Sequence, residues 1–417
     1  MRYRKYGLLI LMLVTSCFAG DSWPQFRGPF GNGHSDCPDT PLHWSETENI
    51  RWKTAIHDRG WSTPVVLDGQ VWLTTATVDG HKFYALCVDL NTGKIIYDIL
   101  LFTEEKPQSI NEMNSYATPS PVIEKGRVYV HFGTFGTVCI DTNTGKKLWE
   151  RRDLHCNHLQ GPASSPIIYK NLLILHLEGT DVQYVCALDK MTGATVWKSN
   201  RPGDVYNDDV LPLYKKAYST PIIIVVNGKP QLISEGAQAT FALDPDTGKE
   251  IWRVVYGFDS TIACPVSDGG LVFVNTGWDN HDIGLWAVKP DSKGDVTKSH
   301  VVWKYNERVC GESSPVIVDG LLYMVADMGF ITCLEAATGK LVWKERLSGK
   351  FGAAPVYAGG LLYFSNKQGH SFVIKPGKEF NLAAENKLDA PIWASPAVIG
   401  KSLLLRTETH LYRIEKN

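Results

Sequence analysis

A short run of small residues ending in proline occurs eight times along the chain, and nothing else in the sequence restricts the fold as much. It reads WSTPVV at Trp61, TPSPVI at Thr118, ASSPII at Ala163, YSTPII at Tyr218, IACPVS at Ile262, ESSPVI at Glu312, GAAPVY at Gly352 and WASPAV at Trp393. Its prolines are Pro64, Pro121, Pro166, Pro221, Pro265, Pro315, Pro355 and Pro396, spaced from 40 residues (Pro315 to Pro355) to 57 (Pro64 to Pro121). A period of that size marks one supersecondary unit repeated in tandem. It overrides the two or three separate domains that 417 residues would otherwise suggest.

Each proline opens an apolar strand that ends in a turn such as LDGQ or VNGK. A second strand follows (VWLTT, LVFVN), then a polar loop and a third strand ending in Asp or Glu. A tight turn comes next: NTGK at Asn91 and Asn143, MTGA at Met191, DTGK at Asp246 and ATGK at Ala337. Its glycine suits a backbone with positive φ. The fourth strand carries Trp149, Trp197, Trp252, Trp303 or Trp343, with Tyr97 in the first unit, and a ring there suits packing between neighbouring units. Four short strands per unit and eight units predict an all-β fold, an eight-bladed β-propeller with four-stranded blades. The last unit has room for only three strands. Asn49 to Ile56 (NIRWKTAI), with Trp52 in the tryptophan position, is expected to supply the fourth and close the ring. The expected divisions are a signal segment at 1–20, an N-terminal extension at 21–48 and the propeller at 49–417.

The TGK-x-x-W repeats resemble the quinoprotein-like propeller family, which includes both pyrroloquinoline-quinone dehydrogenases and BamB-type lipoproteins. The resemblance covers the chain from Trp44 onward. The stretch SWPQFRGPFGNG, with QGPASSP and KAYSTP, is similar to secreted bacterial members of that family. The resemblance implies the fold and leaves function open.

Arg2, Arg4 and Lys5 precede an apolar run, Leu8 to Val14, that is too short to span a bilayer, as in a signal peptide. Val14-Thr15-Ser16-Cys17 resembles a lipobox, which would make Cys17 the lipidation site; Cys17-Phe18-Ala19 would also suit ordinary signal peptidase. Both outcomes place the chain in the periplasm or on the outer membrane, with membrane contact only through a lipid anchor. The formal charge of −2 and the lack of a basic run argue against nucleic acid as a partner. Of nine cysteines, Cys87, Cys139 and Cys333 occupy equivalent repeat positions, too far apart on a ring to bridge, and are expected to be buried free thiols.

Function is expected on the face with the long loops that surrounds the channel mouth. His158, Lys216, Tyr116, Tyr218, Arg308 and Trp393 all precede a first-strand proline, and Trp61 and His155 lie in similar loops. Their expected convergence suggests an anionic carbohydrate as ligand. Lys216 and Arg308 would hold the carboxylate, with Trp393, Trp61 and His155 as further binding residues. His158 would be the base and Tyr116 or Tyr218 the acid of a β-elimination, as in a uronate lyase or dehydratase. No cofactor is expected, although Asp279-Asn280-His281-Asp282 could take calcium. The alternative is a non-catalytic BamB-like scaffold for outer-membrane protein assembly, with a protein partner on the loop face. A quinone-dependent dehydrogenase is disfavoured because the chain has no adjacent cysteine pair. A monomer is expected.

Overall fold

The computed structural model describes residues 22–257, 260–277 and 284–416. The expected signal segment with Cys17, and the loop at Asp279 to Asp282, lie outside the described residues. Eight sheets form the ring. Blades 1 to 7 cover residues 65–103, 122–151, 167–200, 222–255, 266–305, 316–346 and 356–387, each with its first strand innermost. Blade 8 contains Ala397–Ile399, Ser402–Arg406 and His410–Glu415, and its outer strand is Ile50–Ala55, antiparallel to His410–Glu415. The ring is therefore closed by the segment near the N-terminus, as the repeat count requires. Blade 4 gains a fifth, parallel strand, Gly294–Asp295, against Glu250–Val255.

Adjacent blades are joined at two radii. On the outside, the fourth-strand tryptophan of one blade lies on the turn glycine of the next. A Cβ added to Gly93, Gly193, Gly248 or Gly339 would come within 2.5–2.7 Å of the ring of Trp52, Trp149, Trp197 or Trp303, and all four glycines have φ of +71° to +75°. No L side chain fits there, either in conformation or in space. The same four indoles donate to backbone carbonyls of the next blade at 2.8–3.1 Å. These tryptophans are structural.

At the channel wall the small residue before each proline makes the contact. Thr63 N–H donates to Ser120 Oγ, Ser120 N–H to Ser165 Oγ, and Ser165 N–H to Thr220 Oγ1, each at 2.9 Å. Thr220 N–H donates to the sulfur of Cys264, Cys264 N–H to Ser314 Oγ, and Ala354 N–H to Ser395 Oγ. An innermost strand is a sheet edge, and these side chains satisfy N–H groups that would otherwise be orphaned. The link is absent at two of the eight junctions, where Ala354 supplies no acceptor and where Thr63 Oγ1 has no partner.

The stretch ahead of Ile50 is built into the propeller. Trp23 is fully buried and bridges to Val66 of blade 1, and Pro24 accepts from Ile123 N–H of blade 2. Arg27 donates to the carbonyls of Asn32 and Pro315. His34 bonds to Ile317 O and bridges to Tyr357, and Cys37 O accepts from Gly359 N–H. Residues 23–37 thus cross the channel end opposite the mouth, from blades 1 and 2 to blades 6 and 7, and plug it. Cys87, Cys139 and Cys333 are buried and free, as are Cys156, Cys186, Cys264 and Cys310.

Trp52 seals the junction of blades 8 and 1. Trp52→Ala is expected to lower stability by about 3 kcal/mol, as Trp197→Ala should at an internal junction. Urea unfolding of the two variants checks this. A neutral Trp52→Ala would mean that the closing strand contributes little to the ring.

Candidate functional site

The first strands carry an alternating register up to the rim, and this decides what faces the channel. Counting back from each proline, the residue one position before and the residue three positions before point inward. The lower ring is Ser120, Ser165, Thr220, Cys264, Ser314, Ala354 and Ser395. The upper ring is Trp61, Thr118, Ala163, Tyr218, Ile262, Glu312, Gly352 and Trp393. Together they enclose a cavity of about 170 Å³ at the mouth, with Phe26 of the plug in its lining. Loop residues Asn111, Met113, Asn114 and Gln160 complete its rim.

Trp61 and Trp393 stack across the blade 8–blade 1 junction, ring centroids 5.0 Å apart and 12° from parallel. Each carries a cation as well: Arg59 lies over Trp61 at 5.1 Å and Lys367 over Trp393 at 4.4 Å. Lys367 also pairs with Glu312 at 2.5 Å. Gly352 leaves room for that pair, because a Cβ there would be 2.5 Å from Glu312 Oε2 and 2.8 Å from Lys367 Cε. Burial pushes the Glu312 carboxyl up from its ordinary value, against the pull of Lys367, and Asp327 adds to the upward push. Of the charged groups at the mouth, Glu312 is the one that lines the cavity and has a perturbed protonation equilibrium.

The structure brings Trp61, Tyr218 and Trp393 into this cavity, and places the other expected site residues elsewhere. His158 is buried beneath the rim. Its Nε2 accepts from Thr134 N–H at 3.2 Å, its Nδ1 is 3.6 Å from Cys156 Sγ, and its carbonyl accepts from Tyr218 OH at 2.6 Å. Lys216 is buried against Ser260 Oγ and Leu213 O, both at 2.7 Å. Tyr116 donates to Gln108 O at 2.7 Å and packs edge-on against Phe83 and Phe135. Arg308 is exposed, with its guanidinium over Phe330, and His155 is exposed on its loop. The expected convergence of His158, Lys216, Tyr116, Arg308 and His155 with Trp61, Tyr218 and Trp393 therefore does not occur. Lys216 and Tyr116 lie five positions before their prolines, where the chain has left the inner strand and turned into the flank of a blade. Glu312, Lys367, Asn114 and Gln160 were not among the expected site residues. Reading inward positions strictly in steps of two would have selected Glu312.

A second polar cluster lies inside blades 3 and 4. Glu178 is fully buried and meets Arg201 Nε, His176 Nε2 at 3.0 Å, Tyr206 OH at 2.8 Å and Ala237 N–H at 3.2 Å. These partners hold its carboxyl down to about 2 despite burial. Glu235, nearby, accepts from Asn275 N–H and Ser219 Oγ, and burial raises its carboxyl well above the ordinary range.

Burial holds the His158 imidazole down to about 4, from 6.5. Its neutral form is favoured in the fold, so the associated stability is complete above pH 6.5 and is lost as pH falls from there toward 4. Glu235 acts in the opposite sense, so the informative quantity is the difference between wild type and His158→Gln. That difference should shrink by about 3 kcal/mol over this window. Urea midpoints at pH 7 and pH 4.5 test it; a pH-independent difference would mean that His158 titrates normally.

Comparison with known proteins places this geometry. The profile of the family described as outer membrane protein assembly factor BamB matches residues 40–171, 181–306 and 285–378. The tetrathionate hydrolase of Acidithiobacillus ferrooxidans is 23% identical over 270 residues, covering 60% of this chain and 50% of that protein. The BamB of Moranella endobia is 24% identical over 249 residues, covering 56% of this chain and 58% of that protein. The chain thus spans between 50% and 58% of the length of these two relatives. The crystal structure of quinohemoprotein alcohol dehydrogenase from Comamonas testosteroni shares the fold, with a TM-score of 0.68 at 12% identity over 96% of this chain and 81% of that one. No helix among the described residues is long and apolar enough to cross a membrane. With eight four-stranded blades, TGK turns under interblade tryptophans and this breadth of match, the chain belongs to the PQQ-type propeller family of outer membrane protein assembly factor BamB.

Proposed function

We propose that the channel mouth of this exported propeller binds an acidic carbohydrate. The observation that carries this reading is the composition of one cavity: two tryptophans and Tyr218 beside the amides of Asn111, Asn114 and Gln160 and a ring of hydroxyls. Indole edges and apolar walls suit the carbon skeleton of a sugar, and the Asn111 and Gln160 amides and the hydroxyls suit its oxygens, while the Asn114 amide is fully engaged in holding the rim. Elimination chemistry built on His158 has no support in this geometry, because the imidazole is buried outside the cavity with Nε2 already engaged. If turnover occurs, Glu312 is the group with the position and the raised proton affinity to act as acid or base. A planar quinone is a poor fit: Trp61 and Trp393 each already have the partner ring and a cation over them, which leaves no open slot for stacking.

A second reading, a BamB-like scaffold, is favoured by the apolar side chains exposed on loops of the mouth face: Met113, Leu159, Leu211, Leu213, Tyr214 and Met328. Titration with glucuronate and galacturonate oligosaccharides, followed by tryptophan fluorescence, separates the two. Saturable binding is expected, at least tenfold weaker in Trp393→Ala. Absence of any saturable change with wild type would overturn the carbohydrate reading and leave the scaffold.

A further inference from the structure

The lower ring of the mouth cavity does more than join blades. Ser120, Ser165, Thr220, Ser314 and Ser395 each accept one backbone N–H from the preceding blade. A hydroxyl is both donor and acceptor. All five line the cavity. Ser314 also gives its proton to the Cys264 sulfur, whereas none of the other four gives its own proton to a protein acceptor among the described residues. The acceptor side of each of these four hydroxyls is thus fixed in the wall, which leaves the O–H free to donate toward the channel. Four such donors at one level form a preorganised ring. Below it lies Arg27, buried, bonded through Nη2 to the carbonyls of Asn32 and Pro315; its Nε and Nη1 have no hydrogen-bond partner. Among the described residues its guanidinium meets no carboxylate. Pro315 directly follows Ser314 of the ring, so this uncompensated positive charge sits just beneath the donors. A buried cation without a counter-charge is costly, and an anion brought close to it recovers part of that cost.

We propose that the hydroxyl ring is an oxyanion site: a small oxyanion, free or as the acidic group of a larger ligand, sits on the channel axis, takes O–H donors from Ser120, Ser165, Thr220 and Ser395, and has Arg27 beneath it as counter-charge. This rests on the carbohydrate reading only in its second form, where the acidic group of the sugar points down the channel and the rest of the sugar meets Trp61, Trp393 and Tyr218. The charge preference comes from below the ring rather than from the rim, where Lys367 is already neutralised by Glu312.

Isothermal titration of the full chain with sodium sulfate, sodium glucuronate and glucose, at constant ionic strength made up with chloride, tests the site. Both oxyanions should give saturable heats and glucose a much weaker one. Ser165→Ala/Ser395→Ala should weaken sulfate and glucuronate at least tenfold. Ala354 shows that the ring accepts an alanine without losing the fold. Ser165→Thr/Ser395→Thr, which keeps the hydroxyls, should restore binding, and Arg27→Gln should weaken both anions. No saturable heat from either oxyanion, or equal affinity in the alanine and threonine variants, overturns the proposal. Acidic oligosaccharide that binds independently of the ring hydroxyls leaves the carbohydrate reading standing and removes this one. Sulfate binding that depends on the ring, without any sugar binding, does the reverse.

Discussion

Every blade of this propeller ends, at the channel, in a strand with no sheet partner on its inner side, and the molecule depends on how that edge is satisfied. At six of the eight junctions the solution is one side-chain oxygen or sulfur, accepting the backbone N–H of the blade before it. The acceptor must be short enough to stay at the wall and must leave the axis open, which explains Ser, Thr and Cys at a position where a larger residue would fill the channel. The proline that follows has no N–H to satisfy, so the strand begins with one fewer orphan donor. Tryptophans on glycines do the corresponding work at the outer radius, where there is room for a large ring. The two contacts together make eight thin sheets into one object.

The same register governs how much could be read without coordinates. Repeat number, ring closure through Trp52 and the free thiols at Cys87, Cys139 and Cys333 all follow from period alone, because each depends on equivalence between units. The mouth was only partly legible. Tyr218, Trp61 and Trp393 stand three residues before their prolines and face the cavity. Tyr116 and Lys216 stand five before and do not, since the strand alternation holds only while the strand lasts. His158 has the residue type of a catalytic base, yet its environment is that of a packed polar core. Lys367 and Gln160 come from connecting segments, and nothing periodic in the sequence reports where a connection folds back. The plug was missed for the same reason: residues 23–37 belong to no repeat.

Electrostatically, the mouth is built from pairs. Glu408 lies 3.7 Å from Arg59, which lies over Trp61; Trp61 stacks on Trp393; Lys367 lies over Trp393 and pairs with Glu312. This series spans blades 8, 1, 7 and 6 and so includes blade 8, within which the two ends of the propeller chain pair. It ties that blade to its neighbours on both sides, and it also fixes the geometry of half the rim. A ligand entering the cavity would find those side chains already held in place by one another, with little ordering left to be done on binding.

The plug and the closing strand lie at the start of the chain, while their partners are distributed to its very end. Trp23 needs blade 1, His34 needs blades 6 and 7, and Ile50–Ala55 needs His410–Glu415. The first-made segment is therefore among the last to settle. Until the final blade is available, Ile50–Ala55 with Trp52, a tryptophan that ends up buried, is an unpaired strand with no place to go. A chain with this wiring has a prolonged interval of vulnerability between synthesis and completion. Its completion requires a long-range closure in addition to the folding of each blade.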